Sequence, residues 1–277
     1  MQTVITMTSW TKRINFVPKF IYRFLTTQTV KPDIFYLWLA EQEFPNKEKD
    51  LPEDLLLVCE SFNVKICWTK DNEYCFKRWY VYPKHFEDLV ISVDDDIILS
   101  PNTIEVIQNE YKRNPIKQVL HYKNCGGEIE IKNGIEYFIG ALKQKSSIKN
   151  YFQGNCAFAP YSFPLESFSE EMIRLRKEIC PKCDESWLHP FLIKDNIPIT
   201  FMNGVRWVET EETKSSAISN DLHRNLVEIN GHEYKKADLY KLVVLQNNAD
   251  LLKSWIKVFP NYSVNKFIST DLLKVLH

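Results

Sequence analysis

Residues 89–101 have the sequence LVISVDDDIILSP, in which a short apolar run is followed directly by three aspartates. The run predicts a buried β-strand that ends at Asp94. Three adjacent ionised carboxylates repel one another, so the cluster is costly unless a cation lies against it. In an extended chain Asp94 and Asp96 point to the same side, and a hard divalent cation is the natural counter-charge. The alternative is an acidic, solvated strand end that favours the start of the following helix.

Strand and helix patterns alternate around this segment along the first 120 residues. Because strands that alternate with helices form parallel sheets through right-handed crossovers, we predict an α/β fold with a mostly parallel, Rossmann-like sheet flanked by helices. In such sheets ligands bind beyond the carboxyl ends of the strands, where the aspartates lie. The predicted strands are 4–7, 34–39, 64–68, 89–93 and 118–122, and the predicted helices are 16–28, 52–62, 78–86 and 100–114.

The second half of the chain has a more mixed pattern. Residues 128–138 alternate around Asn133-Gly134, which predicts a β-hairpin. The chain from residue 234 has a helical pattern. Between them we predict an apolar segment at 152–158, helices at 167–179 and 185–194, strands at 197–201 and 205–208, and a polar loop at 210–221.

The length of 277 residues fits one large domain with an appendage. Apolar residues make up 44% and charged residues 26% of the chain, which is typical of a soluble globular protein. We find no internal repeat and no low-complexity linker. We therefore expect one domain over residues 1–231, with halves at 1–122 and 123–231, and a helical C-terminal appendage at 232–277.

Glycine is scarce, at 7 of 277 residues. Neither GxGxxG nor GxxxxGK[ST] occurs, and both motifs need glycines so that the backbone can approach a phosphate closely. The sequence therefore argues against a dinucleotide-binding turn and against a P-loop. Side chains or a metal would have to hold a phosphorylated ligand, and the three aspartates are the main candidates for that task.

Charge and cysteine content exclude further classes. Lys and Arg number 35 against 36 Asp and Glu, so the basic excess expected of a nucleic-acid-binding protein is missing. We find no apolar run of membrane-spanning length and no signal-peptide pattern, and we expect a cytoplasmic protein. The seven cysteines are scattered, which favours reduced thiols. Cys180 and Cys183 form one CxxC, without the second close pair that a zinc ribbon needs.

The segment VISVDDDIILSP at residues 90–101 is similar to the strand and DxD motif of metal-dependent, nucleotide-sugar glycosyltransferases of the GT-A fold. The opening TMTSWTKRINFVPKFIYRFLTTQTVKPDIFYLWLAEQEFP, at 6–45, resembles a bacterial group related to family 2 glycosyltransferases, found in capsule and lipooligosaccharide gene clusters. The resemblance covers residues 2–120 well and is patchy from 120 to 225. It implies a GT-A fold, a nucleotide-sugar-binding first half, and hexosyl transfer from a UDP-type donor to a bacterial surface glycan.

The resemblance also implies roles for donor-side residues. Asp96 would bind Mn²⁺ or Mg²⁺ at the donor diphosphate, with Asp94 as a second candidate ligand. Asp94 would also contact the ribose or the sugar, and Asp95 could share either role. Further residues would hold the nucleotide: Thr8, Ser9 and Trp10 near the nucleobase, Arg13 near a phosphate or in ordering its loop, Asp71 at the nucleobase, and Lys77 at the nucleotide. The alternatives are a core aromatic for Trp10 and surface charges for Asp71 and Lys77.

On the acceptor side the resemblance implies a carboxylate base. An inverting transfer needs a group that takes the proton of the acceptor hydroxyl as it attacks the anomeric carbon. Asp184-Glu185 looks like the acidic pair that heads the acceptor-side helix, and the second carboxylate of that pair is usually the base. We therefore favour Glu185, with Asp184 as the alternative, although the family order is more often Glu-Asp. An ordinary acidic helix start is the other interpretation. Gly154 and Asn155 would line the acceptor cleft.

Two histidines and the tail complete the candidates. His223 follows the polar loop, where related enzymes carry a late metal-ligating histidine, and His121 ends a predicted strand near the cleft. The Lys-rich residues 232–277, with Trp255 and Phe259, could contact an inner membrane that bears a lipid-linked acceptor, or pack on the domain. Two other functions are open: a phosphohydrolase of the haloacid-dehalogenase type with Asp94 as nucleophile, and a non-catalytic glycan-binding protein.

Overall fold

The computed structural model describes residues 1–122, 125–133, 135–144, 154–179, 184, 187–188, 191–192, 195–202, 204–205, 207–210 and 213. The helices and strands of this part, in chain order, are β1 (Thr3–Thr8), α1 (Val17–Thr27), β2 (Ile34–Ala40), α2 (Glu53–Ser61), β3 (Val64–Thr69), α3 (Tyr82–His85), β4 (Leu89–Val93), β5 (Ile97–Leu99), α4 (Thr103–Arg113), β6 (Val119–Tyr122), β7 (Cys125–Lys132), β8 (Ile135–Gln144), β9 (Cys156–Phe158), α5 (Glu170–Ile179), β10 (Ile199–Met202) and β11 (Trp207–Glu209). Short 3₁₀ helices cover Ile14–Phe16, Lys47–Asp50, Tyr74–Val81 and Leu165–Phe168.

A seven-stranded sheet in the order β10-β6-β9-β4-β1-β2-β3 forms the centre of the fold. Strands β3, β2, β1 and β4 are parallel neighbours, and β6 is parallel to β10. Strand β9 lies between β4 and β6 and is antiparallel to both. The predicted class, an α/β fold with a mostly parallel sheet flanked by helices, is therefore confirmed, with one antiparallel strand inside the sheet.

The central strands are buried on both faces, which explains their nearly continuous apolar sequences. Because side chains alternate along a strand, Ile5 and Ile91 pack in a cluster with α1, α2 and α4. Val4 and Val90 face the opposite layer, which contains the 3₁₀ helix Tyr74–Val81. Both layers meet at the carboxyl ends of β1 and β4, where the three aspartates begin.

One local prediction is wrong, and one short strand was not predicted. The helix predicted at 78–86 is divided into the 3₁₀ helix Tyr74–Val81 and the short α3, which has Pro83 in its first turn. Proline has no backbone N–H and tolerates only the first turn of a helix, so one continuous helix could not form there. Strand β5 follows the aspartates directly, pairs antiparallel with β11, and precedes the predicted helix. With three residues, it is too short for a periodic pattern.

Other predictions hold or fall outside the described residues. The hairpin predicted at 128–138 is present as the antiparallel pair β7–β8. No helix in the described part of the chain is long and apolar enough to cross a membrane. The boundary at residue 231 and the helical appendage lie outside the described residues, as do Gly134, Cys180, Cys183, Glu185, His223, Trp255 and Phe259.

Candidate active site

A cleft opens where β1 and β4 end side by side. Met7 of β1 is in register with Val93 of β4, so the residues that follow each strand come together at the same edge of the sheet. The 3₁₀ helix Tyr74–Val81 contributes the remaining wall. The lining residues are Thr8, Ser9, Trp10, Arg13, Asn72, Tyr74, Cys75, Lys77, Arg78, Asp94 and Asp95.

Asp95 connects the end of β4 to the end of β1. The Ser9 hydroxyl donates to its Oδ2 at 2.5 Å, and Nη1 of Arg13 donates to its Oδ1 at 2.5 Å. The Asp95 carboxylate is buried, and both of its oxygens accept hydrogen bonds. It is therefore a brace within the cleft wall, with no oxygen directed freely toward a ligand.

Asp94 is held from two other directions. Nη1 of Arg78 donates to its Oδ1 at 2.5 Å. The buried Asn155, which precedes β9, donates from its amide nitrogen to Oδ2, and its amide oxygen accepts the backbone N–H of Asp94 at 2.7 Å. Asn155, predicted to line the acceptor cleft, thus lies directly on the donor-side carboxylates.

Asp96, unlike its two neighbours, is not among the residues that line the cleft. Its side chain keeps 25% exposure, and Nη2 of Arg13 lies 2.9 Å from its Oδ2. Burial, and then the negative charge of Asp94, raise the pKa of Asp96 to about 7, against the opposing effect of Arg13. Three carboxylates therefore face two guanidiniums in this cluster.

Arg13 and Arg78 already supply positive charge to the aspartates, so a metal is not their sole counter-charge. Among the described residues, no group of three or more His, Cys, Asp or Glu side chains is arranged to hold a metal ion. Magnesium, however, is usually bound by one or two carboxylates together with substrate phosphates. Asp96 and Asp94 both fit that single-carboxylate role, because their side chains keep 25% and 30% exposure. Asp94 also lines the cleft.

Arg13 and Lys77 both act as internal braces. Burial by itself would lower the pKa of Arg13. The negative charges of Asp95 and Asp96 outweigh that effect, so the pKa of Arg13 is raised. Nζ of Lys77 is fully buried and donates to the Ser9 carbonyl at 3.3 Å, to Glu43 at 3.1 Å and to Asn72 at 3.2 Å. Lys77 therefore fixes the strand end that carries Ser9.

Other predicted residues on the first strand end also lie in the cleft. The Thr8 hydroxyl donates to the Trp38 carbonyl at 2.8 Å, which ties β1 to β2. Nζ of Lys12 lies 5.0 Å from the ring centroid of Trp10. The buried Nε1 of Trp10 has no hydrogen-bond partner among the described residues. Trp10 thus presents an aromatic surface to the cleft and keeps an unused donor.

Asp71 and His121 do not belong to this group. Asp71 is half exposed, and its carboxylate accepts a hydrogen bond from Lys177 at 3.0 Å, which lowers its pKa. It is absent from the cleft lining. His121 is buried on β6 against Phe201, and burial lowers its pKa to about 4.

The acceptor-side candidate Asp184 is almost fully buried. Nε1 of Trp79 donates to its Oδ2 at 2.5 Å, and Nε of Arg78 lies 3.4 Å from the same oxygen. Arg78 therefore contacts both Asp94 and Asp184. The other candidate base, Glu185, lies outside the described residues.

The sequence interpretation missed Arg78, and it missed Asn155 as a partner of Asp94. The only local signal for Arg78 is a Lys-Arg pair within an aromatic segment, YCFKRWYVY at 74–82, and such a pair is usually solvent-exposed. Burial of both basic side chains was not predictable from that pattern. Glu43, which pairs with Lys77, was missed for the same reason.

No protein-family model and no curated protein matches this chain. Among solved structures, Staphylococcus aureus TarS 1–349 is similar over 98% of this chain and 76% of that chain, with 14% identity and a TM-score of 0.47. The same TarS fragment in complex with UDP gives 12% identity over the same shares, with a TM-score of 0.43. A putative glucose-1-phosphate thymidylyltransferase from Bacillus anthracis, in complex with a sucrose, covers 85% of this chain and 98% of its own, with 13% identity and a TM-score of 0.47. Likenesses at this level assign this chain neither a family nor a function.

Proposed function

We propose that this chain is a glycosyltransferase that moves a sugar from a nucleotide-diphosphate donor, in our proposal a UDP-sugar, to a glycan of the bacterial surface. The observation that carries the proposal is the convergence of Asp94, Asp95 and the end of β1 in one cleft, with Asp96 next in the chain and paired with Arg13 of the cleft lining. A diphosphate is itself an anion, so carboxylates can take part in binding it only through a cation.

In this proposal each donor-side residue has a separate task. Thr8, Ser9 and Trp10 would line the position of the nucleoside, with Trp10 contributing its aromatic side chain. Asp96 would hold Mn²⁺ or Mg²⁺, with Asp94 as the second candidate. When bound, the metal would offset the charge that develops on the leaving diphosphate.

We assign the general base to Glu185 rather than to Asp184. A base must come within hydrogen-bond reach of the acceptor hydroxyl. Asp184 is buried, with Trp79 and Arg78 against its Oδ2, which suits a positioning role better than proton abstraction. The acceptor in this proposal is an oligosaccharide or a lipid-linked glycan, reached from the cytoplasm or by peripheral contact of residues 232–277 with the inner membrane.

In the alternative of an aspartyl phosphohydrolase, Asp94 would be the nucleophile, oriented by Arg78 and Asn155. Such an enzyme would form an aspartyl-fluoroberyllate adduct, which a glycosyltransferase would not. A non-catalytic glycan-binding protein would bind sugar but show no metal-dependent nucleotide binding, which the following experiment measures directly.

The test is a screen of nucleotide sugars for hydrolysis and transfer with Mn²⁺ or Mg²⁺, together with calorimetric titration of UDP. We expect metal-dependent UDP binding, and we expect Asp96→Asn to weaken it at least tenfold. The matched control is Asp54→Asn, because Asp54 is an exposed aspartate of α2 far from the cleft. The proposal fails if no nucleotide sugar is turned over and Asp96→Asn binds UDP as the wild type does.

A further inference from the structure

Three consecutive side chains of the 3₁₀ helix Tyr74–Val81 contact three different parts of the site. Lys77 donates to the carbonyl of Ser9 at the end of β1. Arg78 donates to Asp94 at the end of β4, and Trp79 donates to Asp184. The carbonyl of Arg78 accepts the Thr6 hydroxyl at 2.7 Å, which fixes the helix to β1. The middle residue of the three therefore lies between the donor-side and acceptor-side carboxylates.

The Arg78 guanidinium is buried and uses different nitrogens for the two sides. Nη1 lies 2.5 Å from Asp94 and 3.4 Å from the Ser92 hydroxyl. Nε donates to the Cys75 carbonyl at 3.2 Å and lies 3.4 Å from Asp184. Asp94 and Asp184 are thus opposite neighbours of a single positive charge, although they lie in distant parts of the chain.

Gly154 is shaped to this guanidinium. A Cβ atom on Gly154 would lie 2.9 Å from Nη1 of Arg78 and 3.1 Å from its Cζ and Nη2. Real Cβ atoms are essentially never found at the first of these distances, and the backbone of Gly154 does not have a positive φ that would otherwise require glycine. A side chain at this position would therefore require the Arg78 guanidinium to shift.

We propose that Arg78 is a positioning residue that couples the donor and acceptor sides: one guanidinium is shared by Asp94 and Asp184, so a change of charge at one carboxylate is felt at the other. The terms donor side and acceptor side rest on the proposed function. The contacts of the Arg78 guanidinium with Asp94 and Asp184 do not depend on it. The competing interpretation is a buried ion pair that serves stability alone.

The functional test is the affinity for UDP with MnCl₂, measured by calorimetry. Asp184→Asn lies outside the cleft lining, yet we expect it to weaken UDP binding by about fivefold or more, the lower range of coupling between sites. The reason is that Arg78, relieved of Asp184, pairs more strongly with Asp94 and withdraws that carboxylate from the ligand. In an Arg78→Lys background the same substitution should have no further effect, because an ammonium cannot contact both partners in the same way.

Two further variants separate coupling from general destabilisation. Gly154→Ala keeps every charge but displaces the guanidinium, and we expect it to weaken UDP binding as Arg78→Lys does. Arg176→Lys is the matched control, because Arg176 is also a buried arginine paired with a carboxylate, Glu73, but does not line the cleft. It should lower the melting temperature and leave UDP affinity unchanged.

A stability measurement tests the shared guanidinium even without a ligand. In the native background, the melting-temperature shifts of Asp94→Asn and Asp184→Asn should be non-additive, as expected for residues that share one partner. In the Arg78→Lys background, the same two shifts should be additive. If the wild type binds no nucleotide, the proposed function fails and this cycle alone decides the coupling. Additive shifts in the native background would overturn the coupling. If the wild type binds UDP, an Asp184→Asn variant with unchanged UDP affinity would overturn it as well.

Discussion

Asn155 and Asp94 form a reciprocal pair: the amide oxygen of Asn155 accepts the backbone N–H of Asp94 at 2.7 Å, and its amide nitrogen donates to the Asp94 carboxylate. The two residues are 61 positions apart in the chain. The pair exists because β9, which follows Asn155, lies antiparallel against β4, which precedes Asp94. One buried side chain thus fixes both the backbone and the carboxylate at the first of the three aspartates.

Asn155→Ala should therefore destabilise the protein. It leaves the Asp94 N–H and one carboxylate oxygen without a partner, and an unsatisfied buried polar group costs about 1–3 kcal/mol. Urea unfolding measures the loss. Asn46→Ala serves as the control, because Asn46 is exposed and contacts only the nearby Asp50 in its described side-chain hydrogen bonds. Equal effects of the two substitutions would contradict a special role for Asn155.

The Arg13→Lys substitution tests whether Asp95 and Asp96 need the guanidinium of Arg13 as their counter-charge. A lysine cannot reproduce the two-pronged contact of Arg13 with Asp95 and Asp96, and breaking a buried ion pair costs about 3–5 kcal/mol. We expect a loss of stability near the lower end of that range, because a positive charge remains. Chemical denaturation measures it, and the exposed Lys19→Arg is a charge-conserving control on α1. Unchanged stability of Arg13→Lys would show that the aspartates need no guanidinium.

Ser9→Ala removes one donor from the buried Asp95 carboxylate. Hydrogen bonds to charged groups contribute about 1.5–3 kcal/mol, so we expect a loss of that size in the free energy of unfolding. Ser61→Ala is the matched control, since the exposed Ser61 hydroxyl donates only to a helix carbonyl in the described structure. Its expected effect is within about 0.5 kcal/mol. If the Ser9→Ala protein is as stable as the control, the hydrogen bond from Ser9 does not hold the Asp95 carboxylate in place.

His121 should make the protein less stable in mild acid. Burial lowers its pKa from 6.5 to about 4, so between these values the unfolded chain binds a proton that the folded chain excludes. Stability contributed by the neutral imidazole is complete above pH 6.5 and declines as the pH falls toward 4. Asp96, whose pKa is raised, contributes the opposite slope over part of this window. The informative quantity is therefore the difference between wild type and His121→Gln, whose melting temperature should fall less steeply from pH 7 to pH 5.

Local patterns carried the prediction of the fold. Strands β1 to β4 and helices α1, α2 and α4 are apparent because apolar spacing and proline positions are properties of neighbouring residues. The aspartates could be placed at a strand end for the same reason. The antiparallel insertion of β9 and the three-residue β5 were not apparent, because pairing partners of short strands are chosen by distant parts of the chain.

The sequence by itself determined an α/β sheet with three carboxylates at the end of one buried strand. Only the tertiary structure decided what neutralises them: Arg13 lies 82 positions from Asp95 in the chain, and Arg78 lies 16 positions from Asp94. Periodicity within a strand or helix is set by the backbone geometry of adjacent residues, whereas the partner of a buried charge is set by which strand ends the sheet brings together. The sequence therefore predicted a need for positive charge, and the packing supplied it as two arginines.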